Sequence, residues 1–135
     1  MIENRNTLND ITSIEDIRLM VNTFYGEIRK DELLGSIFEG IIQDRWPEHL
    51  EKMYRFWQTI LLADHTYYGS PFAPHAVMPL EGYHFERWVK IFNQVVDGLF
   101  KGEIANEAKW RANKMAEMFL SKIQYYQSQN IQPLI

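Results

Sequence analysis

Apolar residues at helical spacing run through almost the whole chain, and this periodicity constrains its fold more than any other feature. They recur three or four residues apart, as on one buried face of an α-helix. The clearest stripes contain Ile14, Ile17, Val21, Phe24 and Ile28, then His49, Met53, Phe56 and Ile60, then Phe85, Trp88, Phe92 and Val96, then Ala108, Ala112, Met115 and Phe119. No stretch shows the period of two that a half-buried strand needs. The sequence therefore predicts an all-α fold with four substantial helices.

Local signals predict where these helices begin and end. Thr12-Ser13-Ile14-Glu15 has a capping-box pattern, so the first helix is expected to begin there. The second is expected to begin near Pro47, because proline suits a first turn. The third is expected to end at Lys101, with Gly102 as its C′ glycine, and the fourth should cover about residues 106–127. The segment between the first two helices is expected to be a compact connection.

The length and charge of the chain limit the class of protein. At 135 residues, it is expected to be a single domain, 1–135, with a core of about 13–127 and flexible termini. A net charge of −4 argues against a nucleic-acid partner, which calls for a clustered basic face. The absence of cysteine excludes disulfides, iron–sulfur clusters and thiolate ligands.

The distribution of apolar residues bears on membrane contact and assembly. No apolar run approaches the length of about 18 residues that a membrane span requires, and the polar start is unlike a signal peptide. A cytoplasmic protein without a membrane partner is therefore expected. A monomer is expected too, because no extended apolar surface stripe is left over.

His75 has surroundings that suit a metal ligand. It lies in the proline-rich segment 71–79, and prolines restrict both their own φ and the residue before them. An imidazole held rigidly against an aromatic, apolar space can bind one iron through one side chain. His49 lies on an apolar stripe and is either a core residue or a pocket residue. His65 lies in a polar loop, and His84 lies near the start of the third helix.

Common catalytic motifs are missing from the sequence. There is no His-Glu-x-x-His, Gly-x-Ser-x-Gly, Walker-type loop or dinucleotide fingerprint, and no two Glu-x-x-His pairs for a di-iron bundle. The aromatic fraction of 14% needs either a dense aromatic core or a flat apolar ligand. Tyr25 and Trp88 are donors on otherwise apolar stripes, and buried donors need partners. A cofactor-free helical binding module and a pocket for a flat cofactor both remain open at this point.

Five short motifs in a fixed order resemble the truncated globins, most closely their third group. They are Phe24-Tyr25, Leu34-Gly35-Ser36-Ile37-Phe38, Trp46-Pro47-Glu48-His49 with Phe56-Trp57, Pro74-His75 and Phe85-Glu86-Arg87-Trp88. The resemblance covers about residues 14–126. It implies a two-over-two helical sandwich around one haem b, with iron bound by Nε2 of His75. It also implies a distal cage of Tyr25, His49 and Trp88.

The resemblance implies further haem contacts as well. They are Phe24, Phe38, Lys52, Met53, Trp57, Met78, Leu80, Trp88 and Phe92. The glycine-pair motifs of the first two truncated-globin groups are absent, as in the third group. Relatives commonly carry basic residues before the proximal histidine, where this chain has Ala73 and Pro74. Propionate pairing is therefore expected from Lys52 or Arg55.

The implied function is binding of O₂, NO or CO at a histidine-ligated iron. Donors from Tyr25 and Trp88 should slow the release of O₂, which suits chemistry on the ligand better than oxygen delivery. NO detoxification or a peroxidase-like reaction with an external reductant would fit. The alternative function is a cofactor-free, all-helical binding module with an aromatic core.

Overall fold

Five α-helices account for most of the described chain in a computed structural model. The structure describes residues 8–64, 67 and 80–129, without the side chain of Tyr126. The helices are α1 (Ile14–Lys30), α2 (Gly35–Ile42), α3 (Trp46–Leu62), α4 (Gly82–Leu99) and α5 (Glu103–Gln129). No strand occurs among these residues, and the all-α prediction is confirmed.

The helices form two crossed layers. Helix α1 packs against α3, helix α4 packs against α5, and the layers meet chiefly where α1 contacts α4. The short α2 packs on α1, and α3 also contacts α5. This arrangement is the predicted two-over-two sandwich. Among the helices described, none combines the length and apolar character needed to span a bilayer.

The start of α1 follows its sequence signal. Ser13 is the N-cap, and its hydroxyl accepts a hydrogen bond from the backbone N–H of Asp16 at 3.3 Å. The Asp16 carboxylate in turn accepts the N–H of Thr12 at 2.9 Å. The first bond satisfies a backbone donor that a helix leaves open at its start, and the second ties the residue before the cap to the first turn. Helix α1 is thereby oriented with Phe24 and Tyr25 towards the interior.

The connection predicted between the first two long helices contains a helix of its own, so that prediction was incomplete. Helix α2 has only eight residues, too few for a repeating stripe to reveal it. A Cβ atom at Gly35 would lie 2.7 Å from the carbonyl oxygen of Arg29. Glycine therefore lets the start of α2 approach the last turn of α1, and α2 then carries Phe38 into the core.

The junction between α4 and α5 differs from the prediction. Helix α4 ends at Leu99 rather than Lys101, and α5 begins at Glu103 rather than 106. Gly102 is not the C′ glycine of α4; it immediately precedes α5 and has a φ of +148°. The carboxylate of Asp10 accepts the N–H groups of Ile104 at 2.9 Å and Ala105 at 2.8 Å. A cap supplied from so far along the chain leaves no local sequence signal.

One part of the expected surface is also different. Three large side chains of α5 are exposed: Trp110, Met118 and Tyr125. The argument that no apolar surface is left over therefore does not support a monomer.

Candidate functional site

An apolar pocket lies between the helix layers. Every helix contributes to its wall, which is mostly aromatic. The lining residues are Phe24, Tyr25, Leu34, Phe38, Met53, Phe56, Trp57, Leu80, His84, Phe85, Trp88, Met115, Ala116 and Phe119. Apolar walls with a few polar groups are the usual composition of a small-molecule or cofactor pocket.

Seven of the predicted site residues lie together in this wall. They are Phe24, Tyr25, Phe38, Met53, Trp57, Leu80 and Trp88. They come from α1, α2, α3, α4 and the residue before Glu81. Half of the fourteen lining residues are thus among those that the truncated-globin resemblance implied. Phe24, Met53 and Trp88 also lie on the predicted helix stripes, and residues on one stripe share one face.

Tyr25 brings a hydroxyl group into an otherwise apolar wall. Its side chain is buried, and its ring meets the edges of Phe24 at 4.9 Å and Trp46 at 5.7 Å between centroids. Burial raises the pKa of the Tyr25 hydroxyl above its ordinary range. No hydrogen bond joins this hydroxyl to the part of the chain that the structure describes. Tyr25 therefore keeps its proton and can donate a hydrogen bond to a molecule in the pocket.

His49 stands beside Tyr25, outside the pocket lining. The two rings meet edge to face, with centroids 4.9 Å apart. The ring of Trp46 lies 5.8 Å from His49 on the same helix. His49 is half-buried. The structure thus brings Tyr25 and His49 together.

Trp88 lies in the same wall, separated from Tyr25 by Phe24. The ring centroids of Phe24 and Trp88 are 5.3 Å apart. Phe92, which was predicted to contact a cofactor, is not part of the lining. It is buried behind the wall, with its ring 5.1 Å from Trp57 and 5.8 Å from Trp88 in stacked orientations. Phe92 therefore supports the rings of Trp57 and Trp88 by packing against them.

Three other predicted residues lie away from the observed wall or beyond the described chain. Lys52 is exposed on α3 and does not line the pocket. His75 and Met78 lie outside the described residues, as does His65. Within residues 8–64, 67 and 80–129, no three histidine or acidic side chains converge to hold a metal ion.

His84 lines the pocket, although the sequence placed it only near the start of the third helix and did not include it in the predicted site. It is buried, with 6% of its surface exposed. Its Nδ1 accepts the backbone N–H of Glu81 at 2.9 Å, an arrangement that caps α4. In the neutral ring, an accepting Nδ1 leaves the proton on Nε2. The spacing of Glu81 and His84 was the available signal, because a side chain three residues after an N-cap can reach back to it.

The remaining lining residues were predicted only as core or as parts of motifs, except Ala116, which was not predicted at all. They are Leu34, Phe56, Phe85, Met115, Ala116 and Phe119. A stripe identifies the buried face of a helix but does not distinguish a residue facing a pocket from one facing another side chain. Together, the aromatic wall and the Tyr25 hydroxyl fit a flat, largely apolar group with a small polar ligand bound beside it.

Comparison with known proteins gives one consistent family. Residues 7–121 match the model of the bacterial-like globins. The group 3 truncated haemoglobin ctb of Campylobacter jejuni is 32% identical over 116 residues, covering 83% of this chain and 91% of that protein.

The fold gives the same result. The crystal structure of the group III truncated haemoglobin from Campylobacter jejuni superimposes with a TM-score of 0.78 and 30% sequence identity. The match covers 87% of this chain and 95% of that chain. The two-over-two arrangement of the helices is thus shared over nearly the whole of the solved structure.

Proposed function

Because this chain belongs to the bacterial-like globin family, we propose that it is a truncated haemoglobin that binds haem b and diatomic gases. The family supports haem and gas binding in general terms. The assignments to individual residues rest on the sequence and on the pocket geometry. When bound, the haem iron supplies an open coordination position for O₂, NO or CO.

The proposed iron ligand is Nε2 of His75. The support for this assignment is the proline-rich segment 71–79 around that residue and its match to the truncated-globin pattern. We further propose that Lys52 or Arg55 pairs with the haem propionates. Both are exposed on α3, where a side chain can reach a carboxylate at the pocket mouth.

The hydroxyl of Tyr25 is the observation that carries the proposed gas chemistry. It is a buried donor that has no partner in the described protein and borders an apolar pocket. Burying a donor of this kind destabilises the folded protein unless another group accepts its hydrogen bond. A gas bound in the pocket is the natural acceptor. Tyr25 would then hold that ligand in one orientation and slow its release.

His49 and Trp88 complete the proposed distal cage. Trp88 supplies an indole N–H from α4, and His49 packs edge to face against Tyr25. Slow release favours reactions of the bound gas over oxygen delivery. We therefore propose NO detoxification or a peroxidase-like reaction, with electrons from an external reductant. A cytoplasmic location is part of this proposal and rests on the sequence alone.

The test is an absorption spectrum of the purified protein, first reconstituted with haemin and then reduced and exposed to CO. We expect a Soret band that shifts with CO. His75→Ala should weaken or abolish it, whereas His65→Ala, a matched histidine variant in a predicted polar loop, should leave it unchanged. A colourless protein without haemin affinity would favour the rival function, a cofactor-free helical binding module. Unchanged iron ligation in His75→Ala would reject the proximal assignment alone.

A further inference from the structure

A chain of contacts leads from Glu39 through Arg29 and Trp46 to His49. The guanidinium carbon of Arg29 lies 4.5 Å from the centre of the Trp46 ring. Nε of Arg29 also lies 2.5 Å from Oε1 of Glu39. Arg29 belongs to α1, Glu39 to α2 and Trp46 to α3. The three helices around the start of α3 are therefore linked through one guanidinium group.

Trp46 connects Arg29 to the two distal residues Tyr25 and His49 through direct ring contacts. Its ring meets Tyr25 at 5.7 Å and His49 at 5.8 Å, both edge to face. Trp46 is only 6% exposed, and its buried Nε1 has no hydrogen-bond partner among the described residues. No directional bond thus fixes the indole. Its position depends on packing against Tyr25 and His49 and on the cation held over its face.

We propose that Arg29, Glu39 and Trp46 form a clamp that holds His49 against Tyr25 and closes the distal side of the pocket. This inference rests on the proposed function. A ligand passing beside His49 must displace the imidazole, and the adjacent Trp46 ring limits that movement. Arg29 and Glu39 are positioning residues, since they act on His49 only through Trp46.

The clamp is weak enough to open repeatedly. The side chain of Arg29 is 46% exposed and that of Glu39 is 43% exposed. Ion pairs and cation–π contacts at such partly exposed sites are modest. Thermal fluctuation can therefore release Arg29 without unfolding a helix. The clamp sets how often the entrance opens, whereas Tyr25 sets how firmly a bound gas is held.

The experiment measures CO recombination after flash photolysis of the reduced, haem-bound protein. Arg29→Met keeps the length of the side chain but removes its charge, and we expect association about two- to fivefold faster. Glu39→Gln should change the rate in the same direction by less, since Arg29 can still cover Trp46. Arg29→Lys should restore part of the original rate because it restores a cation.

The matched controls are Lys30→Met and Glu27→Gln. Lys30 and Glu27 form an exposed pair at 2.8 Å on the same helix. Lys30→Met and Glu27→Gln change the net charge by the same amounts as Arg29→Met and Glu39→Gln. We expect the rate of CO association to be unchanged in both control variants. In Arg29→Met, the association rate of the bulky ligand ethyl isocyanide should increase by a larger factor than that of CO, because ethyl isocyanide needs a wider opening. A general loss of stability would not produce that dependence on ligand size.

The outcomes separate this inference from the proposed function. CO binding with equal association rates in Arg29→Met, Glu39→Gln and the controls would overturn the clamp while leaving the haem assignment in place. Failure of the unsubstituted chain to take up haemin and bind CO would overturn both the proposed function and the clamp. If Arg29→Met does not fold, Glu39→Gln alone decides, because Glu39 is partly exposed and its carboxylate is replaced by an amide of nearly equal size.

Discussion

Arg87 and Asp31 connect the end of α1 to the turn of α4 that carries Trp88. Nη2 of Arg87 lies 2.7 Å from Oδ1 of Asp31, and Nε of Arg87 donates to the same oxygen at 2.8 Å. The other oxygen of Asp31 accepts the N–H groups of Leu33 and Leu34, each at 3.0 Å. One carboxylate thus joins α1, the start of α2 and α4. It fixes the spacing of the helices that carry Tyr25 and Trp88.

Replacing Asp31 should reduce the free energy of unfolding at neutral pH. Asp31→Asn removes the charge on which both the ion pair and the turn depend, and we expect a loss of about 1–3 kcal/mol. The Asp31 side chain is only 4% exposed, so water cannot replace these partners easily. Urea unfolding at pH 7 measures the effect. Glu27→Gln, which breaks an exposed pair, should change stability by less than about 0.5 kcal/mol.

The pH dependence of the same variant gives an independent check. Burial alone would raise the pKa of Asp31, but hydrogen bonds from Arg87, Leu34 and Leu33 outweigh it and hold the pKa below its usual value. A lowered folded-state pKa stabilises the protein above the unfolded pKa, about 3.9, and this contribution is lost as the pH falls through the folded pKa. The difference in stability between the native chain and Asp31→Asn should therefore shrink in acid. A constant difference down to the acid limit would contradict the assignment.

Removing the Tyr25 hydroxyl should speed the release of O₂. Tyr25→Phe keeps the buried ring but loses the donor, and a hydrogen bond to a charged or strongly polar ligand corresponds to about ten- to a hundredfold in the dissociation rate. Stopped-flow measurement of O₂ release tests this. Tyr54→Phe is the matched control, because Tyr54 donates to Asn22 and does not line the pocket.

Burial also makes a prediction about the pH dependence of O₂ release. Because burial raises the pKa of Tyr25, its hydroxyl should stay protonated beyond the ordinary tyrosine value of about 10. A plot of the O₂ off-rate of the native chain against pH should therefore show no Tyr25-dependent step near pH 10, that is, no step that is lost in Tyr25→Phe. Such a step would show that Tyr25 titrates in the ordinary range and is more hydrated than its position indicates.

His84 should couple helix stability to the pocket. His84→Ala removes the acceptor that binds the N–H of Glu81, and loss of a helix cap costs about 0.5–2 kcal/mol. It also removes a ring from the pocket wall, so we expect weaker haemin retention in a transfer assay as well as a lower urea midpoint. His84→Asn retains an acceptor near the cap and should recover part of the stability but not the retention. Full recovery of both would mean that His84 acts only as a cap.

The sequence predicted the features that depend on short stretches of chain. Helical stripes identified the buried faces that carry Phe24, Met53 and Trp88, because neighbours on a helix face lie three or four residues apart. Ser13 and Pro47 marked the starts of α1 and α3 correctly. The order of the short motifs then supplied the family, which no single stripe could have supplied.

Features that join distant residues were missed, for a physical reason. Asp10 caps α5 across 94 residues of sequence, and the Asp31–Arg87 pair spans 56. Neither is visible until the chain has folded. Phe92 lies on the same stripe as Trp88, but it packs behind Trp57 and Trp88, and its contact with a cofactor stays a prediction. A stripe gives the buried face, and only the packing of other helices determines which part of it borders a cavity.

Gly102 should be intolerant of a side chain, for a reason that the junction of α4 and α5 makes specific. Its φ of +148° is rarely adopted by other residues, and a Cβ atom there would lie 2.5 Å from the Asp10 carboxylate. Gly102→Ala should therefore both strain the backbone and displace the cap of α5, lowering the free energy of unfolding by about 1–3 kcal/mol.

The matched control for Gly102→Ala is Gly26→Ala in α1. A Cβ atom at Gly26 meets nothing within 4 Å, and alanine is favoured over glycine inside a helix by about 0.5–1 kcal/mol. Urea unfolding of the two variants should therefore give changes of opposite sign for the same chemical substitution. Asp10→Ala should remove part of the penalty of Gly102→Ala in the double variant, because the clash and the cap involve the same carboxylate. Additive effects of the two substitutions would show that Gly102 is restricted by its backbone conformation alone.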